Sequence, residues 1–132
     1  MLRGYYGSQV RRGLSLFGRE QWLFMDFTSF LADHRRHLDQ GTDFLGLPRF
    51  ETHPELRHLM KATGEISGTP PTGDELLELA RLYQPEVAEY AALTGLPVDH
   101  WTTVRLLDGR MDADELAARY AAKAGLTPSG RR

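Results

Sequence analysis

The chain has no cysteine. Disulfides, a thiolate nucleophile and cysteine-ligated zinc are thereby excluded, and the redox compartment is left open. No apolar run approaches the roughly 18 residues of a membrane span, and the N-terminus lacks the pattern of a signal peptide. A basic excess is also missing: 16 Lys and Arg stand against 18 Asp and Glu, for a formal net charge of -2. That balance gives neither the footprint of a nucleic-acid binder nor a polybasic membrane patch, and pairs such as Arg35–Arg36 and Arg131–Arg132 are scattered. There is no internal repeat and no low-complexity segment. A soluble, cytoplasmic protein is expected, with neither nucleic acid nor membrane among its partners.

What is present suits one globular domain. The length of 132 residues falls in the range of roughly 100 to 200 for a domain. A hydrophobic fraction of 41% and a charged fraction of 26% are ordinary for a packed core. The stretch from Arg19 to Pro48 organises the rest. Trp22-Leu23-Phe24-Met25 is a short continuous apolar run bounded by polar residues. Such a run predicts a strand over 22–27 buried on both faces, the kind found in parallel sheets. A helix over 33–45 follows, with Asp33 as its N-cap and Gly46 as its stop. One buried strand is not stable alone, so the prediction is an α/β fold, mostly helical, with the rest of a sheet elsewhere.

The remaining helices are read from apolar spacing and caps. Tyr6, Val10, Leu14 and Phe17 predict a helix over 4–17, with Arg11 and Arg12 on its other face and Gly18 ending it. Residues 54–61 suit a helical turn or two. Thr72-Gly73-Asp74-Glu75 is a capping box opening a helix with Leu76, Ala80 and Tyr83 in line. Pro85 either ends that helix or begins the next, whose stripe Val87, Tyr90 and Ala91 stops at Gly95. Asp112 caps a last helix over 112–124, rich in alanine. That helix serves either to dock a partner helix or to cover the sheet. Pro48, Pro54, Pro70 and Pro71 mark residues 48–73 as loop-rich, and the segment 61–71 is longer than most connections in compact domains.

Arg3-Gly4-Tyr5-Tyr6, Leu16-Phe17-Gly18-Arg19-Glu20-Gln21, the apolar run, Leu31-Ala32-Asp33 and Phe44-Leu45-Gly46-Leu47-Pro48 follow one another in that order. Together they resemble the C-terminal half of the sulfotransferase family that uses PAPS (3′-phosphoadenylyl sulfate, the activated sulfate donor). Leu82-Tyr83-Gln84-Pro85, Leu93-Thr94-Gly95-Leu96 and Trp101 are similar to that family's closing helix and tryptophan. The resemblance spans residues 3–101 as a sulfotransferase-like segment and leaves 102–132 as a helical extension. Thr28 and Ser29 stand where the family often has an acidic pair, and His34 replaces a common proline.

The resemblance implies a P-loop-type sheet and transfer of a sulfuryl group from PAPS to an acceptor hydroxyl or amine. Positioning and charge stabilisation dominate that chemistry, and a phosphate cradle at a helix N-terminus supplies both. No Gly-x-x-x-x-Gly-Lys-Ser/Thr or Lys-x-Gly-Thr-Thr segment occurs, and no catalytic base is recognisable. The chain is therefore expected to be the C-terminal portion of such an enzyme or a shortened relative, inactive alone, with a small-molecule acceptor or a completing protein chain as its partner. The family's cofactor-clamping loop corresponds to residues 61–69, which makes Lys61, Gly64, Ser67 and Gly68 candidates for the adenosine 3′-phosphate, with Arg3 at the edge of the phosphate-binding segment. A lysine neutralises phosphate, and glycines let backbone N–H groups approach it.

His34 and His37 sit three apart, a spacing that puts two metal ligands on one helix face, but Asp33 and Asp43 are the sole candidates to join them and no metal is expected. His58 is a base candidate beside the loop with nothing to single it out. Trp22 and Trp101 read as core. The alternative from a different class is a non-catalytic, mostly helical interaction module derived from the family, in which 22–27 is a buried helix or an edge strand. A third option is a small regulatory partner that completes another chain's sheet, and homo-oligomer formation through an exposed strand edge would favour such a completing or fragmentary role.

Overall fold

A computed structural model describes residues 4–56 and 68–126. Six α-helices carry the described chain: α1 (Tyr6–Leu16), α2 (Phe27–Ala32), α3 (His34–Leu45), α4 (Gly73–Thr94), α5 (Thr102–Leu107) and α6 (Ala113–Ala124), with a single 3-10 turn at Arg19–Gln21. Among the described residues there is no strand, so the α/β, P-loop-type sheet expected from the sequence is corrected to an all-helical architecture. The chain divides into two compact units, one of Met1–Val10 with Ala62–Arg132 and one of Arg11–Lys61.

The unit formed by the chain's two ends is built on α4. Its N-terminus is the expected capping box: the Thr72 hydroxyl accepts from the Glu75 N–H at 3.2 Å, and the Glu75 carboxylate accepts from the Thr72 N–H at 2.7 Å. The helix runs through Pro85 without a break, where the sequence suggested a boundary. A proline in mid-helix removes one hydrogen bond and clashes with the preceding turn. The helix continues because both sides of the proline are packed: Leu76 and Ala80 before it and Val87 after it are buried.

α5 and α6 close the core. Leu76, Ala80, Leu106, Leu116 and Ala117 form one buried cluster, bordered by Leu77, Leu107, Met111 and Ala113. Ala117 and Ala121 of α6 are buried against the chain, whereas Ala118 and Ala122 are exposed. Close approach is also visible at Gly73, where an added Cβ would sit 3.0 Å from the Asp114 nitrogen and 3.1 Å from the Ala113 carbonyl carbon. Backbone cannot yield as a flexible side chain does. Gly73→Ala is therefore expected to lower stability by about 1–2 kcal/mol, overpacking outweighing the helix propensity gained. Urea denaturation followed by circular dichroism reads the loss, and an unchanged midpoint would refute it.

The unit of residues 11–61 is different in kind. Asp26 and Thr42 are its buried residues among those described, and no apolar side chain there is buried. Between the 3-10 turn and α2, Trp22 at φ -119°, ψ 126° and Asp26 at φ -79°, ψ 129° are extended, and among the described residues no partner strand lies beside them. The predicted strand also ends early. Phe27 opens α2, because the Asp26 carboxylate accepts from the Ser29 N–H at 2.7 Å and caps a helix there. Asp33 caps α3 in the same way, accepting from the Arg36 N–H at 3.2 Å. Gly46, in the left-handed region at φ 66°, ends α3 at the Phe44–Pro48 motif.

Candidate functional site

Most of the sequence-derived cofactor set lies outside the described residues: Arg3, Lys61, Gly64 and Ser67, together with the base candidate His58. Gly68 is described. It is exposed, at φ 135°, and a Cβ built there would meet nothing within 4 Å.

The histidines of α3 serve the backbone. The His37 Nδ1 is 2.7 Å from the Asp33 carbonyl oxygen, closing the first turn of its own helix, and the His34 Nε2 is 3.1 Å from the Pro54 carbonyl oxygen. Among the described residues no group of three His, Asp or Glu side chains is placed to hold a metal ion. The sequence reading missed His53, whose Nε2 lies 2.8 Å from an Asp39 carboxylate oxygen, both side chains about three-quarters covered. Fourteen residues separate the two, and no local pattern signals that pairing.

Two open clefts lie on the unit built from α4, α5 and α6. The larger, of about 330 Å³, is lined by Val87, Val98, Val104 and Leu107 with Gln84 and Asp108 at its polar edge. The smaller, of about 140 Å³, lies between Leu76, Tyr83, Leu106 and Tyr120. Asp108 is not a free base, because Arg110 holds its carboxylate well below the usual range through a 2.6 Å hydrogen bond. The lining is mostly apolar, with the hydroxyl residues Tyr83, Thr102, Thr103 and Tyr120 at the smaller cleft and Thr103 also at the larger. Trp101, expected in the core, is half-buried in an aromatic cluster with Tyr6 at 6.0 Å and Tyr90 at 5.1 Å between ring centroids.

The most unusual surface belongs to residues 11–56. Phe27 is 71% exposed, Leu16 68% and Leu45 66%, and Leu23, Leu31 and Phe44 are also open to solvent. Single exposed leucines are normal, but so many without a buried counterpart are not. Trp22 and Phe24 stack at 5.5 Å on one side of the extended segment, with Trp22 packed over Gly13 and the Arg19 guanidinium 4.9 Å from the Phe24 ring centre. Leu23, between them, is exposed. The Trp22 indole N–H is buried without a hydrogen-bond partner.

No family model, curated protein or solved structure matches the chain. The described residues form a helical protein with one unit packed around α4, α5 and α6 and one under-packed unit. No helix among the described residues is long and apolar enough to cross a membrane.

Proposed function

We propose that the chain is a sulfotransferase-family protein that grips the nucleotide of PAPS through residues 61–68 and takes part in sulfuryl transfer to an acceptor hydroxyl or amine. The observation carrying this reading is the ordered series of motifs across residues 3–101. With no phosphate-cradle motif in its sequence, the chain depends on a completing chain for the cradle and the base, and it binds nucleotide without turning over PAPS alone.

Calorimetric titration with adenosine 3′,5′-bisphosphate, the desulfated cofactor, tests this. Saturable binding is expected, weakened at least tenfold in Lys61→Ala, because the ammonium group neutralises the 3′-phosphate. Absence of heat from a chain shown by circular dichroism to be folded would refute it. The second reading, a non-catalytic interaction module, is favoured by the unit of residues 11–61, which buries no apolar side chain among its described residues while exposing several. It accounts for a folded chain that binds no nucleotide.

A further inference from the structure

Over residues 22–24 the chain shows the alternation of a strand without a ladder. Trp22 and Phe24 share one face, and Leu23 takes the other. Among the described residues the N–H and C=O groups of Leu23, Phe24 and Met25 have no hydrogen-bond partner. Unpaired strand edges are templates for another chain, and protective devices such as an edge lysine or proline are missing from this one. We propose that this segment pairs antiparallel with the same segment of a second copy of the chain, giving a two-fold symmetric dimer. The inference rests on the reading of the chain as an interaction module and names its partner.

Three observations favour self-pairing. A two-fold interface uses one patch twice, so the segment must be self-complementary. Placing Leu23 opposite Leu23 of the partner subunit sets each Trp22 against Phe24 of the partner subunit. Cross-strand aromatic pairs of that kind stabilise a ladder. The ladder would end at Gln21 and Met25, before the carboxylates of Glu20 and Asp26 come face to face.

Exposed apolar surface is also plentiful on the unit that carries the segment. Phe17, Phe27, Phe44 and Phe50 are exposed by 42–71%. At roughly 200 Å² per ring side chain they leave about 400 Å² of aromatic surface in water. The leucines of the same unit add a comparable amount, against roughly 800 Å² per partner for a standard interface. Charge does not oppose the pairing, since Arg11–Lys61 carries eight basic and seven acidic side chains.

The absence of native cysteine makes the test direct. The full chain should sediment as a dimer across a concentration series. Leu23→Cys should form a disulfide-linked dimer on mild oxidation, because directly opposed residues of an antiparallel pair bring their Cα atoms to about 4.5–5.5 Å. Ser29→Cys, exposed on α2, should not. Leu23→Lys should be monomeric with an unchanged helical spectrum. A wild-type monomer at every concentration, or cross-linking of the two cysteine variants at equal rates, would overturn the proposal. Binding of a hydrophobic dye separates the two levels. A monomer that binds dye at the exposed unit keeps the module reading and loses self-pairing, whereas a monomer that binds none loses both.

Discussion

Leu106→Ala is expected to destabilise the α4–α5–α6 unit by about 2–5 kcal/mol, the range for truncating a buried leucine where the site cannot collapse. Leu106 is 6% exposed and touches the cluster from α4 and α6 at once. It is also the single buried residue of α5, a helix of six residues. A helix that short has no stability of its own in water, so its docking energy is the reason it exists. The cleft of about 140 Å³ that Leu106 lines means the truncation enlarges an existing opening. Domains of this size are stable by about 5–15 kcal/mol, so the loss is a large share of the total. Leu79→Ala is the internal control: Leu79 is 46% exposed and should cost well under half as much. Urea unfolding of both variants, with helical signal as the readout, decides the matter. Equal midpoints would mean that the α4–α5–α6 contact is not the core.

The features legible in the sequence were the local ones. The caps at Asp33, Thr72 and Asp112 each rest on a side chain reaching a backbone N–H three residues on, and each forms as expected. Asp26 carries the same signal three residues before Ser29. The apolar run beside it matches a buried strand, and that pattern masks the cap. The run did become extended, but no other segment of the described chain is a strand, and a ladder needs two. Pro85 misled in the opposite direction. Its local preference for a boundary was overridden by burial on both sides, at Ala80 and Val87. Partners remote in the chain, such as Asp39 with His53 or Ser8 with Glu86, leave no trace in spacing, since only the fold brings them together. Of the candidate cofactor residues, only Gly68 falls among the described residues.

The pairing of Ser8 with Glu86 carries the second large effect. Helix α1 has no acidic residue in its first turn, although exposed N–H groups and the positive end of the helix dipole favour a negative charge there. The carboxylate comes from α4 instead. Glu86 accepts from the Ser8 N–H at 2.8 Å and from the Ser8 hydroxyl at 2.6 Å, 78 residues away in sequence. Gly7 makes the approach feasible: a Cβ there would lie 2.6 Å from the Glu86 carbonyl oxygen and 2.9 Å from the Glu89 Cβ. Glu86→Ala leaves the partly buried Ser8 groups without this acceptor. Hydrogen bonds to a charged group contribute about 1.5–3 kcal/mol, and the loss of a helix cap is of similar order. An expected destabilisation of about 2–3 kcal/mol follows, with the amides of Ser8 and Gln9 exchanging faster than those of α6. Glu86→Gln keeps an acceptor oxygen but not the charge and should recover roughly half. If the two variants are equally destabilised, the carboxylate acts through packing and not as a cap. If neither is, the first turn of α1 finds its acceptor in water.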